Sequence, residues 1–342
     1  MPLRWRDAMS RALYGPGGFF VSAPGPADHF RTSVHAAPAF ASALSRLVRR
    51  LDSALGFPAR FDVVDVGAGR GELLLALAGL AHDPLAHRLR LTAVELAPRP
   101  AGLPAEIGWA DAVPAGVTGL LLATEWLDNV PLDVAVRDGD GWRYLLVDPA
   151  TGEETVGDPV DGADADWLAA WWPTPDVATT SRPAATTGRA EIGRTRDDAW
   201  AGAVRHVDRG LALAVDYGHI AHDRPGDGTL TGYRRGRQVP PVPDGSCDVT
   251  AHVALDSAGT AGAAAAGTAY TLVGQREALR ALGADGGRPA LSLAATDPAG
   301  YVRALAAASA VTELTDPAGL GGHRWLLQPV GVDVGVDPLM AR

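Results

Sequence analysis

Apolar positions fall along this chain in two rhythms: short unbroken runs rich in β-branched residues, and longer Leu/Ala stretches with helical spacing. The run Phe61–Val66 has the length and composition of a buried parallel strand. Runs at 89–94, 107–109, 119–124 and 211–218 read as the strands that follow it. Helical spacing predicts helices over 36–55, from Glu72 onward, over 191–207, and near 252–258, 273–283 and 297–312. Residues 134–147 read as a hairpin turning at 139–141, and a final strand pair is expected at 269–273 and 323–329. Residues 1–35 are expected to be irregular, with turn chemistry from Tyr14 to Phe20. Strand and helix alternate and the chain closes on an antiparallel pair, which predicts an α/β fold on a mostly parallel, seven-stranded sheet.

Four segments follow from this pattern. They are an N-terminal segment and helix (1–56), the first half of the α/β core (57–147), an insertion (148–208), and the second half of the core (209–342) with a loop at 219–252. The insertion carries a short helix with Trp167, Trp171 and Trp172, whose spacing places two indoles on one helical face. Packing or a partner surface accounts for them more simply than a substrate cage.

Candidate chemistry begins at the end of the first strand. Asp65-Val-Gly67-Ala68-Gly69-Arg-Gly71 has neither the dinucleotide-binding spacing nor the Gly-Lys-Ser/Thr of a phosphate loop. Its glycines permit a tight turn and close approach of the backbone to a ligand. With Asp65 before them, they suit a nucleoside whose amino-acid tail carries an ammonium group, which points to S-adenosyl-L-methionine (SAM). Glu95 ends the second strand 24 residues beyond Gly71, close to the ~20 expected of an acid that binds ribose hydroxyls. Asp111 follows the third strand, where an adenine amino group could be met, and Thr124-Glu125 closes the fourth. Polar residues at successive strand ends describe the ligand crevice of an open α/β sheet. The expected cofactor-binding set is Asp65, Gly67, Ala68, Gly69, Gly71, Glu95, Asp111, Thr124 and Glu125.

Composition narrows the classes. The chain has 342 residues and a formal charge of −10, so it has no general attraction for nucleic acid. Every basic residue other than histidine is arginine. The single cysteine, Cys247, cannot form an internal disulfide, which suits a reducing cytoplasm. The N-terminus lacks the apolar core of a secretory signal, and no stretch is apolar enough to span a bilayer. A cytoplasmic location is expected. The histidines and lone cysteine show no metal-ligand spacing, and no metal is expected.

Several separated motifs resemble the MidA-like SAM-dependent methyltransferases, a family that includes mitochondrial complex I assembly factors. Tyr14-Gly-Pro-Gly-Gly-Phe-Phe20 is similar to the family's Gly-Pro-Gly-Gly-Tyr-Tyr element, and Asp65–Gly71 to its Glu-Leu-Gly-Pro-Gly-Arg-Gly loop. Thr124-Glu-Trp-Leu-Asp-Asn-Val-Pro131 resembles Asn-Glu-Phe-Phe-Asp-Ala-Leu-Pro, and Asp216-Tyr217-Gly218 matches outright. Gly228–Arg234 and Asp248–Val253 resemble Gly-Thr-Leu-Arg-Ala-Tyr-Arg and Asp-Leu-Thr-Ala-His-Val. The resemblance implies a class I (Rossmann-like) SAM-dependent methyltransferase whose acceptor is an arginine side chain of a protein or peptide. The chain departs from the family at Ala27–His35, which lacks a Pro-Glu, and at Thr124, which replaces an amide.

Methyl transfer from a sulfonium is an in-line displacement in which the protein supplies mainly positioning. A guanidinium acceptor is protonated and needs carboxylates to hold its fork. Glu125 and Asp128 after the fourth strand are the leading candidates, with Asp216 after the fifth strand and His252 as a base or orienter. Tyr14, Asn129 (the only asparagine), Tyr217, Tyr233 and Asp248 are candidate substrate-binding residues. Helix capping, loop scaffolding or a satisfied structural histidine are the plainer roles for the same side chains. Two other functions compete: methylation of a small molecule or modified peptide, and an assembly or chaperone-like protein with a vestigial SAM site.

Overall fold

The computed structural model describes residues 1–21, 38–139, 141–172, 188–284, 286–332 and 339–340. The Ala27–His35 departure lies outside them. The chain divides into two compact units that it enters alternately. One comprises Met1–Phe30, Trp126–Gly202 and Tyr217–Ala264; the other Arg31–Glu125, Ala203–Asp216 and Ala265–Arg342.

The second unit is built on a seven-stranded sheet. In chain order its strands are β1 (Phe61–Val66), β2 (Leu89–Val94), β3 (Ile107–Ala110), β4 (Val117–Thr124), β5 (Val207–Asp216), β6 (Thr271–Gly274) and β7 (Arg324–Val330). Their spatial order is 3-2-1-4-5-7-6. β1 to β5 pair in parallel, and β7 runs antiparallel to both β5 and β6, so the sheet is mixed. All six residues of β1 are buried, as a strand covered on both faces requires. The amphipathic helix Pro38–Ala54 buries Phe40, Leu44, Leu47 and Leu51 against Phe61, Val63, Leu120, Leu122 and Leu213. Each such side chain contributes about 1.5–3 kcal/mol on burial. The Phe40 ring meets Trp325 of β7 edge to face at 5.9 Å.

The first unit holds a five-stranded sheet that includes Leu3–Arg4, Asp133–Asp138, Gly141–Val147, Glu154–Pro159 and Arg189–Ile192. A three-stranded sheet pairs Thr231–Arg234 with Arg237–Val239 and with Asp248–Thr250. Here the structure corrects three expectations. Residues 5–14 are a helix, not irregular chain, because Trp5, Ala8, Met9, Ala12 and Leu13 form one buried face. The expected helix 191–207 divides into the strand Arg189–Ile192 and the helix Arg194–Val204. Gly193 separates them because a Cβ there would lie 2.8 Å from the Trp167 ring. The loop containing Tyr233 is a strand, with Tyr233 opposite Asp248.

Candidate functional site

In the second unit the carboxyl end of β1 opens into the glycine loop. Gly67, Gly69 and Gly71 have φ of 73°, 56° and 81°, a region side chains rarely adopt. A Cβ on Gly71 would also lie 2.9 Å from Cδ1 of Leu103. The loop is held by Gly67 and Ala68 N–H groups donating to the Val94 carbonyl at 3.0 and 3.3 Å. It leads into the helix Glu72–Leu80, whose free N–H groups and positive dipole end face the turn.

Carboxylates surround this loop. Glu95 accepts the Gly69 N–H at 3.0 Å on Oε2, and those of Leu96 and Ala97 at 2.7 and 3.1 Å on Oε1. A carboxylate offers about four lone-pair sites, so Glu95 braces the loop and keeps capacity for a hydroxyl donor. Asp65 is buried at the end of β1. Burial, together with the like charges of Glu95 and Glu72, pushes its carboxyl up to about 7. Such a group gains from a cation placed beside it. Thr124 Oγ1 is buried with no hydrogen-bond partner among the described residues. An orphaned hydroxyl, an open glycine turn and a cluster of acids fit a nucleoside bearing cationic groups. Asp111 is exposed in the turn after β3.

Glu125 follows β4 with φ of 51°, unusual for a residue with a side chain. Its N–H donates to the Val215 carbonyl at 2.8 Å, which fixes that backbone. Its Oε1 lies 3.5 Å from Nε2 of His323, an imidazole buried at the start of β7. The Nδ1 of His323 lies 2.6 Å from the Leu320 carbonyl. Asp216, at the end of β5, is fully buried and pairs in register with Arg324.

The remaining candidates lie in the first unit and are tied to one another. Thr250 donates its hydroxyl to Oδ2 of Asp128 at 2.7 Å. The Asn129 amide donates to Oδ1 of Asp248 at 2.7 Å and to the Val249 carbonyl at 3.4 Å. Tyr14 donates to the Asn129 carbonyl at 3.3 Å and stacks on Phe20. Tyr217 and the exposed His252 stack with ring centroids 6.0 Å apart. Asp128, Asn129 and Asp248 are all buried, so the turn after β4 is strapped to the strand Asp248–Thr250 by side-chain bonds.

Sequence reasoning missed four residues that hold these groups. Arg196 is fully buried and donates to the carbonyls of Asp128, Val130 (3.1 Å), Ala251 (2.8 Å) and His252 (3.0 Å). Glu191 accepts from the N–H groups of Thr229 and Leu230 and from the Thr229 hydroxyl, and Thr229 Oγ1 accepts the His252 N–H at 2.8 Å. Thr250 and His323 complete the set. Arg196 and Glu191 carry no motif signal, because arginine is the ordinary cation of this chain and their partners are mostly backbone atoms. No group of His, Cys, Asp or Glu among the described residues could hold a metal ion. No described helix is long and apolar enough to cross a membrane.

The chain is similar over nearly its whole length to two crystal structures of proteins from Burkholderia thailandensis. One, bound to S-adenosyl-homocysteine, is 26% identical with a TM-score of 0.75, covering 98% of this chain and 90% of that one. The other, a native structure, is also 26% identical with a TM-score of 0.72 and the same coverage. No protein of curated function matches. These likenesses place the chain on an α/β methyltransferase fold. Residues 43–273 match the family model described as "Putative S-adenosyl-L-methionine-dependent methyltransferase". The chain belongs to that SAM-dependent methyltransferase family.

Proposed function

We propose that the protein is a class I methyltransferase that binds SAM at the glycine loop and methylates an arginine side chain of a protein or peptide. The observation that carries the cofactor assignment is the glycine turn ringed by Asp65, Glu72 and Glu95, with an orphaned Thr124 hydroxyl nearby. SAM supplies an activated methyl group and its own leaving group. The protein's contribution is to orient donor and acceptor and to exclude water. In this reading Gly67, Ala68, Gly69 and Gly71 line the donor, Glu95 accepts ribose hydroxyls, and Asp65 faces the ammonium end. Asp111 contributes from the turn after β3. The class I assignment is supported by the strand order 3-2-1-4-5-7-6 with an antiparallel β7.

The arginine reading is supported by two carboxylates at adjacent strand ends, Glu125 after β4 and Asp216 on β5. The sequence resemblance also offers Asp128, His252, Tyr14, Asn129, Tyr217, Tyr233 and Asp248 of the first unit as acceptor-side candidates. A cytoplasmic location suits both the lone, buried Cys247 and a protein substrate. One observation favours the small-molecule alternative: the Asp128 carboxylate and the Asn129 amide already bond within the protein. Arginine-methylation proteomics on deletion and parent strains tests between them. Loss of specific methylated arginines supports the protein acceptor, and unchanged arginine methylation moves the small-molecule reading ahead. Calorimetric titration with SAM tests the donor site by itself.

A further inference from the structure

The glycine loop occupies the carboxyl end of β1, and the helix Glu72–Leu80 that follows carries the chain back to the amino end of the sheet, where β2 begins. There the second unit holds a cavity of about 220 Å³. Val48, Val63, Leu77, Leu85 and Leu89 give it an apolar floor, and the first four are buried. A dry apolar cavity of ~150 Å³ takes a benzene ring, so this one suits a substituted ring or a short alkyl chain. Sites that enclose larger ligands run to ~300–1,000 Å³. A nucleoside or a two-chain lipid is therefore too large for it.

The lining residues that reach solvent set the character of the mouth. Phe57 is 62% exposed and has φ of 57°, with its N–H donating to the Asp52 carbonyl at 2.9 Å. Packing in the free protein does not account for a large apolar side chain held in water in that costly backbone region. A bound apolar body would give it surface to cover. The charges at the mouth are Arg49, Asp52 and Asp83. Arg88 takes both oxygens of Asp52, at 2.7 Å each, and Asp83 Oδ1 lies 3.0 Å from Nε2 of His87. Arg49 donates one bond to Ser45 Oγ at 3.0 Å and has no carboxylate at ion-pair distance among the described residues. A guanidinium has five N–H donors, so Arg49 keeps a fork for a carboxylate.

We propose that this cavity is a second ligand site, which binds a small monocarboxylate with an aryl or short alkyl body. The body rests on Val48, Val63, Leu77, Leu85 and Leu89 under the Phe57 ring, and the carboxylate meets Arg49. The apolar floor supplies most of the affinity, because an ion pair at an exposed arginine contributes little in water. Arg49 supplies the choice of head group. The site lies at the opposite end of β1 from the glycine loop, so it does not depend on the donor reading and leaves that site free.

The test is methyl NMR of the whole protein titrated with hydrocinnamate, and separately with hydrocinnamyl alcohol as its uncharged counterpart. The methyl groups of Val48, Val63, Leu77 and Leu85 are the reporters. The expected result is saturable shifts centred on those methyls, with the acid bound about threefold tighter than the alcohol, a size that an exposed ion pair supports. Arg49→Gln should bind the two probes equally. Ala81→Trp, which fills the cavity from a half-buried lining position, should bind neither. Absence of saturable shifts at these methyls, or equal binding of acid and alcohol by the wild type, overturns the proposal. The wild-type comparison decides alone if Ala81→Trp does not fold. Saturating S-adenosyl-homocysteine added first should leave the shifts in place. Their loss would put the probe in the donor site and overturn a second one.

Discussion

The amide of Asn129 donates to Oδ1 of Asp248 at 2.7 Å, joining two buried side chains separated by 119 residues of sequence. The same turn is strapped a second time by Thr250 and Asp128. These bonds hold the turn after β4 against the strand Asp248–Thr250. They give the only asparagine of the chain a role that an ionised acid could not fill, because its amide donates to a carboxylate and to a carbonyl.

Asn129→Asp would set two carboxylates at hydrogen-bond distance, and Asn129→Ala would leave Asp248 without that donor. A hydrogen bond to a charged group contributes about 1.5–3 kcal/mol. Both variants are expected to lose at least that much stability in urea unfolding, with the aspartate variant the worse of the two at neutral pH. SAM affinity of the folded alanine variant should stay within about threefold, since its contacts lie outside the unit that carries the glycine loop. A larger loss would tie the strap to the donor site.

The donor site itself is tested at Glu95. Its carboxylate braces Gly69, Leu96 and Ala97 and would also accept ribose hydroxyls. Removing charge-assisted bonds of about 1.5–3 kcal/mol each should weaken SAM by at least tenfold in Glu95→Ala. Gly69→Val should be worse, because φ of 56° excludes a β-branched residue. Unchanged SAM affinity in a folded Glu95→Ala protein would remove that strand end from the site.

If Asp65 faces the ammonium end of the donor, as proposed, SAM binding is sensitive to pH. Burial and the nearby negative charges of Glu95 and Glu72 hold its carboxyl at about 7, above the ordinary carboxylate value. A cation bound beside it stabilises the ionised form, so binding releases a proton. SAM affinity is expected to rise as pH increases through about 7. In the free protein the sign is opposite, because a raised pKa in the folded state means that ionisation favours the unfolded chain. Stability falls as pH climbs from the unfolded value of about 3.9 towards 7 and is level above it. Asp65→Asn should flatten the SAM profile and stabilise the free protein at pH 8, above the Asp65 value of about 7. Titrations of both proteins across this range check both signs, and parallel affinity profiles would exclude Asp65 as the source.

Much of the sheet was legible because buried parallel strands write themselves as unbroken apolar runs, as in Phe61–Val66 and Val117–Thr124. The glycine loop was legible because three glycines ending a strand have few other uses. The helix Trp5–Tyr14 was missed because Arg4, Arg6 and Arg11 broke up its apolar stripe to the eye, although the buried positions keep helical spacing. The strand Arg189–Ile192 merged with the following helix in the pattern, since only Gly193 separates them and a lone glycine is a weak stop signal. Arg196 and His323 were illegible in a deeper sense. What they do depends on carbonyls brought to them by the fold, and any residue type can supply a carbonyl.

Arg196 gives that point a measurable form. Its guanidinium reaches four main-chain carbonyls from a fully buried position. An ammonium has three donors on a flexible stem and cannot reproduce that fork. Arg196→Lys is therefore expected to lose about 3 kcal/mol or more, as several buried carbonyls go unsatisfied at about 1–3 kcal/mol each. Urea unfolding near neutral pH measures it. A loss below 1 kcal/mol (the low end of that cost per group) would mean that water satisfies the carbonyls and the clamp is weak.

The chemistry is tested by separating Glu125 from Asp128. Glu125→Gln and Asp128→Asn keep shape and most hydrogen-bonding capacity while removing charge. Neutralising one member of a desolvated charge pair costs about 2–5 kcal/mol, so a carboxylate that holds a cationic acceptor should lose about 30-fold or more in transfer when neutralised. Labelled methyl incorporation from SAM into a lysate of the deletion strain measures transfer, and calorimetry measures donor binding. Glu125→Gln is expected to lose transfer while SAM affinity falls far less, which places the loss in the chemical step. Asp128 already accepts the Thr250 hydroxyl. If its carboxylate also meets the acceptor, Asp128→Asn falls as far as Glu125→Gln. If it only braces the turn, Asp128→Asn keeps its transfer rate and loses stability instead. Near-normal transfer by both variants would mean that the acceptor carries no positive charge, and methylation of a neutral small molecule would then account best for the site.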